Sequence, residues 1–156
     1  MTRLLALLFA AAALQDEPVK FEAPREWTKE TPSSPMRKAQ YKVPDKEKKA
    51  ADAQLTLFYF GAGGGGGVEA NLKRWAGQMG GAEAKPEKIE GKLKVTLVDL
   101  KGTYTEKPGA TPIEDARMLG AIVETDKGPW FFKLVGPADT VGDWRDEMVK
   151  LLKEAQ

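Results

Sequence analysis

The chain predicts an α+β fold, an antiparallel β-sheet flanked by helices. Three observations carry that expectation. Strand-like segments dominate, two ahead of residue 61 and three after residue 92; the last two flank turn residues in hairpin fashion; and only two stretches repeat apolar residues at helical spacing. Strands, one internal helix, further strands in hairpin connection and a closing helix give a sheet covered by helices. With 156 residues and 42% hydrophobic content, the chain suffices for one domain with a real core.

Residues 1–15 read as a signal peptide. Thr2 and Arg3 precede an unbroken apolar run from Leu4 to Leu14, and Ala11 to Ala13 place the cut after Ala13 or Gln15. Eleven apolar residues span about 16 Å as a helix, well short of the roughly 30 Å hydrocarbon core, so no stable membrane anchor is expected after cleavage. Export to the periplasm or the extracellular medium follows. Residues 16–156 then form a single domain, of which 16–35 is an extended segment. Pro24, Pro32 and Pro35 prevent a long helix there, and Trp27 is expected to pin the segment to the core.

RKAQYKV alternates, with Ala39, Tyr41 and Val43 on one side and Lys38, Gln40 and Lys42 on the other, and Pro44 ends it. QLTLFYF is apolar on both faces, Leu55, Leu57 and Tyr59 opposing Phe58 and Phe60, as in a strand inside the sheet. In VEANLKRWAGQM the apolar residues Val68, Leu72, Trp75 and Met79 recur at spacings of four, three and four, one face of a helix that Gly80 and Gly81 end. GGAEAKPEKIEGK reads as a polar connection, LKVTLVDLKGTYT as a strand, and TEKPGATPIED as a loop. RMLGAIVE and PWFFKLVG form a hairpin about Thr125 to Gly128. DTVGDWRDEMVKLLKEAQ is a closing helix with Val141, Trp144, Met148 and Leu151 inward and Asp139 or Thr140 as its cap.

Composition excludes much chemistry. Without histidine or cysteine, the usual general base, transition-metal ligand and thiolate nucleophile are missing, and no disulfide forms. Ser33 and Ser34 lie in a turn without a lysine base at usable spacing. The acids Asp139, Asp143, Asp146 and Glu147 fail the calcium-loop pattern at Val141, so no metal is expected. Twenty-four basic residues face 23 acidic ones, and the leader carries Arg3 alone, so the mature chain is balanced; its lysines are interleaved with acids, unlike the basic stripe of a nucleic-acid binder.

Gly61, Gly63 and Gly66 satisfy the dinucleotide fingerprint G-x-G-x-x-G between a strand and a helix. Five consecutive glycines, however, satisfy nearly any glycine template. The acid that would hold a ribose, Asp99, comes 33 residues after Gly66 instead of ending the next strand about 20 on, and Val68 and Glu69 stand where a phosphate loop carries Lys and Ser or Thr. Nucleotide binding through Gly61 to Gly67 is therefore the weakest functional option. The helix that follows carries a polar stripe, Asn71, Arg74 and Gln78, at spacings that let the side chains share a ligand. Lys133 puts a charge inside the apolar strand WFFKLVG; it either snorkels from a sheet edge or points into a polar pocket near Arg74 or a carboxylate.

SPMRKAQYKVP, FYFGAGGGGGVEANLKRWAGQ, VDLKGTYT, MLGAIVE and FFKLVGPADTV together resemble an uncharacterised family of bacterial exported proteins, across nearly all of the mature chain. The order of elements is also similar to the wider Mog1/PsbP-like fold. That resemblance implies an α/β/α sandwich and a binding or assembly role without a catalytic centre or cofactor. Its recognisable positions here are the glycine loop, Asn71, Arg74, Trp75, Gln78, Gly102, Tyr104, Lys133, Gly136 and Pro137; the glycine run is longer and purer than the pattern. The expectation is an exported binding module for a protein partner or small ligand, with Gly63, Gly64, Asn71, Arg74, Gln78, Tyr104 and Lys133 as candidate contacts. The alternative is an enzyme, such as a hydrolase, that relies on carboxylates and Lys133.

Overall fold

The computed structural model describes residues 19–156. The expected signal peptide, residues 1–15, lies outside the described residues. Seven strands form one sheet: β1 (Thr28–Glu30), β2 (Arg37–Val43), β3 (Ala53–Tyr59), β4 (Glu87–Ile89), β5 (Lys94–Tyr104), β6 (Ile113–Thr125) and β7 (Gly128–Pro137). Their order is β1-β2-β3-β7-β6-β5-β4, and every neighbouring pair is antiparallel. Among the described residues three helices accompany it: α1 (Val68–Gln78), α2 (Ala138–Asp143) and α3 (Arg145–Glu154). The α+β expectation is met, and no helix among the described residues is long and apolar enough to cross a membrane.

Alternation along the inner strands sends side chains to two separate cores. Leu55, Leu57, Leu97, Phe132 and Leu134 join Val141, Trp144, Met148 and Leu152 on the face that α2 and α3 cover. Val98, Leu100, Met118, Ile122 and Phe131 join Trp75 and Met79 on the face that α1 covers. Trp27 is buried in the first core, edge-on to Trp144 at 5.7 Å between ring centroids, as expected of the extended segment's anchor.

Four details depart from the sequence-based expectation. The three-residue strands β1 and β4 arise in segments expected to be extended or polar connections, because each borrows its hydrogen bonds from a longer neighbour, β2 or β5. β6 begins at Ile113, inside the expected loop, since the bulge between Gly102 and Tyr104 lets β5 keep pairing with it. The closing helix breaks at Trp144, which leaves helical geometry with φ −106° and ψ 5° while its indole Nε1 donates to the carbonyl of Pro44 at 2.7 Å. Neither Asp139 nor Thr140 caps it: Pro137 occupies the cap position, and the Thr140 hydroxyl donates to the carbonyl of Ala51.

Helix α1 positions the site. It ends as its glycines require: the N–H of Gly81 reaches the carbonyl of Ala76 and that of Gly80 the carbonyl of Gly77, with φ of 83° and 74°, a left-handed cap that residues with a Cβ rarely adopt. Its Trp75 ring lies on β6 at Gly120, where a Cβ would meet the ring at 2.5 Å. Trp75 thus sets the helix over β5 and β6. The same face of β2, β3 and the adjoining part of β7 stays open beside it.

Candidate functional site

That open strip is the floor of a cleft of about 510 Å³. The cross-strand pairs Phe58–Phe131 and Thr56–Lys133 lie side by side on β3 and β7, so the aromatic pair of the floor stands next to the charge of Lys133. Phe60, just past the end of β3, extends the aromatic pair, with its centroid 6.3 Å from Phe58 and 6.1 Å from Phe131. Trp75, Arg74 and Gln78 of α1 form one wall, and Ser33, Ser34, Met36 and Arg37, with Glu106 and Lys107 from the β5–β6 connection, form the other.

Lys133 sits in the middle strand of the sheet, paired on both sides, so it does not snorkel from an edge. Its side chain is in the polar pocket, with the residue only 8% exposed. Nζ donates to Gln78 Oε1 at 2.7 Å and stands 4.9 Å from the centroid of the Tyr104 ring. Burial lowers its pKa from 10.5 to about 8; Glu106 opposes the shift, and the nearby guanidinium groups of Arg37 and Arg74 add to it. The ammonium form persists at neutral pH, and among the described residues no carboxylate is hydrogen-bonded to it. Burial and the Glu106 carboxylate push the Tyr104 hydroxyl up to about 12, against a smaller opposing effect of Arg37, so its phenol stays neutral.

The polar stripe of α1 has three different roles. Gln78 is a bridge: its Nε2 donates to the carbonyl of Glu106 at 2.9 Å while its oxygen accepts from Lys133, which fixes the amide between loop and strand. Asn71 is buried and turned to the glycine loop, its Nδ2 donating to the carbonyls of Gly65 and Gly67 at 2.8 and 2.9 Å. Arg74 is exposed; its one hydrogen bond, at 3.0 Å, goes to the neutral Asn71 Oδ1, and no carboxylate among the described residues pairs with it.

Asn71, Arg74, Gln78 and Lys133 therefore converge on one concave surface, and Tyr104 adjoins it through a smaller hollow that also includes Arg37, Glu106 and Lys133. Gly63 and Gly64 do not line the cleft. The glycine loop is built for packing: Gly61, Gly63, Gly65 and Gly66 have positive φ, and a Cβ at Gly65 would lie 2.6 Å from the Phe131 ring and 2.8 Å from that of Phe60. Asp99, the acid considered for a ribose, is held on the opposite face by Arg117, at 2.6 and 2.7 Å, and by Arg145. Among the described residues no three acids gather as a metal site would require.

Comparison with protein-family models, with curated proteins and with solved structures gives no match. The geometry alone thus speaks for the site.

It adds residues that sequence reasoning missed. Arg37 is brought in by a bulge between Arg37 and Ala39, which sets it opposite Phe58 on the cleft face, where it donates to Gln40 and Gln54 and pairs with Glu106 at 2.9 Å. Met36, Phe60 and Ile113 are the exposed large hydrophobics among the described residues; Met36 and Phe60 line the cleft, and Ile113 lines the adjoining hollow. A single signal was available for these, the apolar residues standing next to turns, and it is a weak one because isolated surface hydrophobics are common.

Proposed function

We propose that this chain is an exported binding or assembly module without a catalytic centre, of Mog1/PsbP-like α/β/α arrangement, whose ligand or partner segment enters the cleft beside α1. The position of α1 on one face of an antiparallel sheet and of α2 and α3 on the other supports the arrangement. The leader-like residues 1–15 support export. One observation carries the binding role: Lys133 and Arg74, cations to which no carboxylate among the described residues is hydrogen-bonded, face a cleft with an aromatic floor and an apolar rim. Ligand sites combine a concave apolar lining with a few fixed polar groups in this way.

A fragment screen by ¹H–¹⁵N NMR on the full chain tests the reading, using equal numbers of neutral, cationic and anionic fragments. Hits that shift the amides of Phe58, Gln78 and Lys133 are expected. A hit set confined to other faces, or no hits, would overturn it.

Lys133 also favours a second reading, an enzyme that uses it as base or nucleophile, since a buried lysine with a lowered pKa suits that chemistry. Against it, Nζ is held by Gln78, and among the described residues no serine hydroxyl or acid is hydrogen-bonded to it. Turnover of ester, phosphate or glycoside substrates that disappears in Lys133→Ala would establish this alternative; silence across the panel removes it.

A further inference from the structure

We propose that the cleft's ligand is an amphipathic carboxylate, a small molecule bearing one anionic head on an apolar or aromatic body. The inference rests on the binding role given to the cleft above and names the chemistry that the cleft selects.

Charge comes first. Arg37, Arg74, Lys107 and Lys133 line the cleft against one carboxylate, Glu106. Arg37 is already committed: its Nη2 pairs with Glu106, and its Nη1 donates to the amide oxygens of Gln40 and Gln54. Arg74 and Lys133 are not. Among the described residues each has a single hydrogen bond, to a neutral amide oxygen, and those two amides are themselves fixed, Asn71 by the glycine loop and Gln78 by Glu106. Two cations held in place with donors to spare suit one anionic head, and an unpaired buried ammonium gains most from such a partner because water screens it least. A carboxylate accepts from both the fork of Arg74 and the point donor of Lys133.

Apolar surface comes second. Phe58, Phe60 and Phe131 stand beside Lys133, and Phe60 is 41% and Met36 57% exposed. Such side chains at the mouth of a concave site gain by being covered. A bare inorganic anion would leave them wet, and a neutral apolar molecule would bury Lys133 without a counter-charge. The volume, about 510 Å³, is that of a small-molecule site. A molecule with a charged head and an apolar body answers both demands.

Calorimetric titration of the full chain with 4-phenylbutyrate, its neutral amide and acetate tests the inference. The carboxylate should bind about tenfold or more tightly than the amide, as a charge-assisted hydrogen bond implies, and acetate should give no saturable heat. Arg74→Gln and Lys133→Met should each weaken the carboxylate by a similar factor and the neutral amide by clearly less, because the amide oxygen loses only an uncharged acceptor's share of the same donors, with near-UV circular dichroism confirming the fold. Equal binding of amide and carboxylate at the cleft would overturn the anionic head and leave the cleft's binding role standing. Unchanged carboxylate affinity in both variants would place the site elsewhere and overturn the inference, as would no heat from any of the three. The fragment hits on the cleft then decide the broader role independently.

Discussion

Burying the Lys133 ammonium opposes folding, and the cost shows in its pKa, which burial lowers from 10.5 to about 8. The sign of the linkage follows. Between about 8 and 10.5 the unfolded chain holds this proton more tightly than the folded one, so stability rises with pH across that window. Below it, the full cost of the buried cation is present. Lys133→Met, which keeps the apolar stem, should therefore raise stability at pH 7 by roughly 2 kcal/mol in urea unfolding, the roughly 3 kcal/mol of the burial cost less about 1 for the lost hydrogen bond to Gln78. The gain should shrink as pH rises through the window. A variant more stable than the wild type yet deficient in carboxylate binding would mark Lys133 as kept for its site. Loss of stability at pH 7 would show instead that the Gln78 and Tyr104 contacts outweigh the burial cost. WFFKLVG made this lysine conspicuous in the sequence, because a charge stands among apolar neighbours. Its direction was not legible, since that depends on which strands flank β7.

Helix α1 shows the same division among elements. The spacing of Val68, Leu72, Trp75 and Met79 reveals the helix, and Gly80–Gly81 reveals its end, because both signals are local. Asn71 looked from its spacing like a flank residue open to ligand, but the glycine loop folds back and takes its amide. Where the helix sits across the sheet is a matter of contact with Gly120, 45 residues beyond Trp75 in the chain. Gly120→Ala forces the ring or the helix to shift, since the added Cβ would lie 2.5 Å from a ring that is only 4% exposed. We expect a loss of about 1–3 kcal/mol, as for overpacking elsewhere, read from urea unfolding, together with weaker binding in the cleft that Trp75 walls. An unchanged midpoint with unchanged binding would refute this account of the helix position. Strands β1 and β4 escaped sequence reading for a related reason: three residues are too few to show a period, and the longer strands beside them supply the order.

Across the whole molecule, the two faces of the sheet are put to different uses. The face under α2 and α3 is closed, and Asp99 ties it together: Arg117 of β6 and Arg145 of α3 converge on its carboxylate, and Arg145 reaches on to Glu87 of β4 at 2.6 Å. Burial would raise the Asp99 pKa, but its hydrogen bonds and charge attraction with Arg117 and Arg145 outweigh this and leave it lowered from 3.8. Stability from this group is present above pH 3.8 and is lost as pH falls through the lower, folded value. Asp99→Asn should cost roughly 2 kcal/mol at pH 7, with the gap to the wild type closing below pH 3.8 in acid unfolding. A constant gap across that range would count against the carboxylate as the tie. The other face is closed by α1 over β5 and β6, and the cleft lies beside the helix over β2, β3 and β7. Alternation along strands, helical spacing, the hairpin turn and the absence of histidine and cysteine are properties of neighbouring residues or of composition, so the linear chain determined the α+β class and excluded chemistry that needs an imidazole or a thiolate. The meeting of Arg37, Arg74, Gln78 and Lys133 with three phenylalanines depends on a bulge in β2, on the strand order about β7 and on a ring resting against a glycine. Those are contacts between distant segments, and only packing in three dimensions decided them.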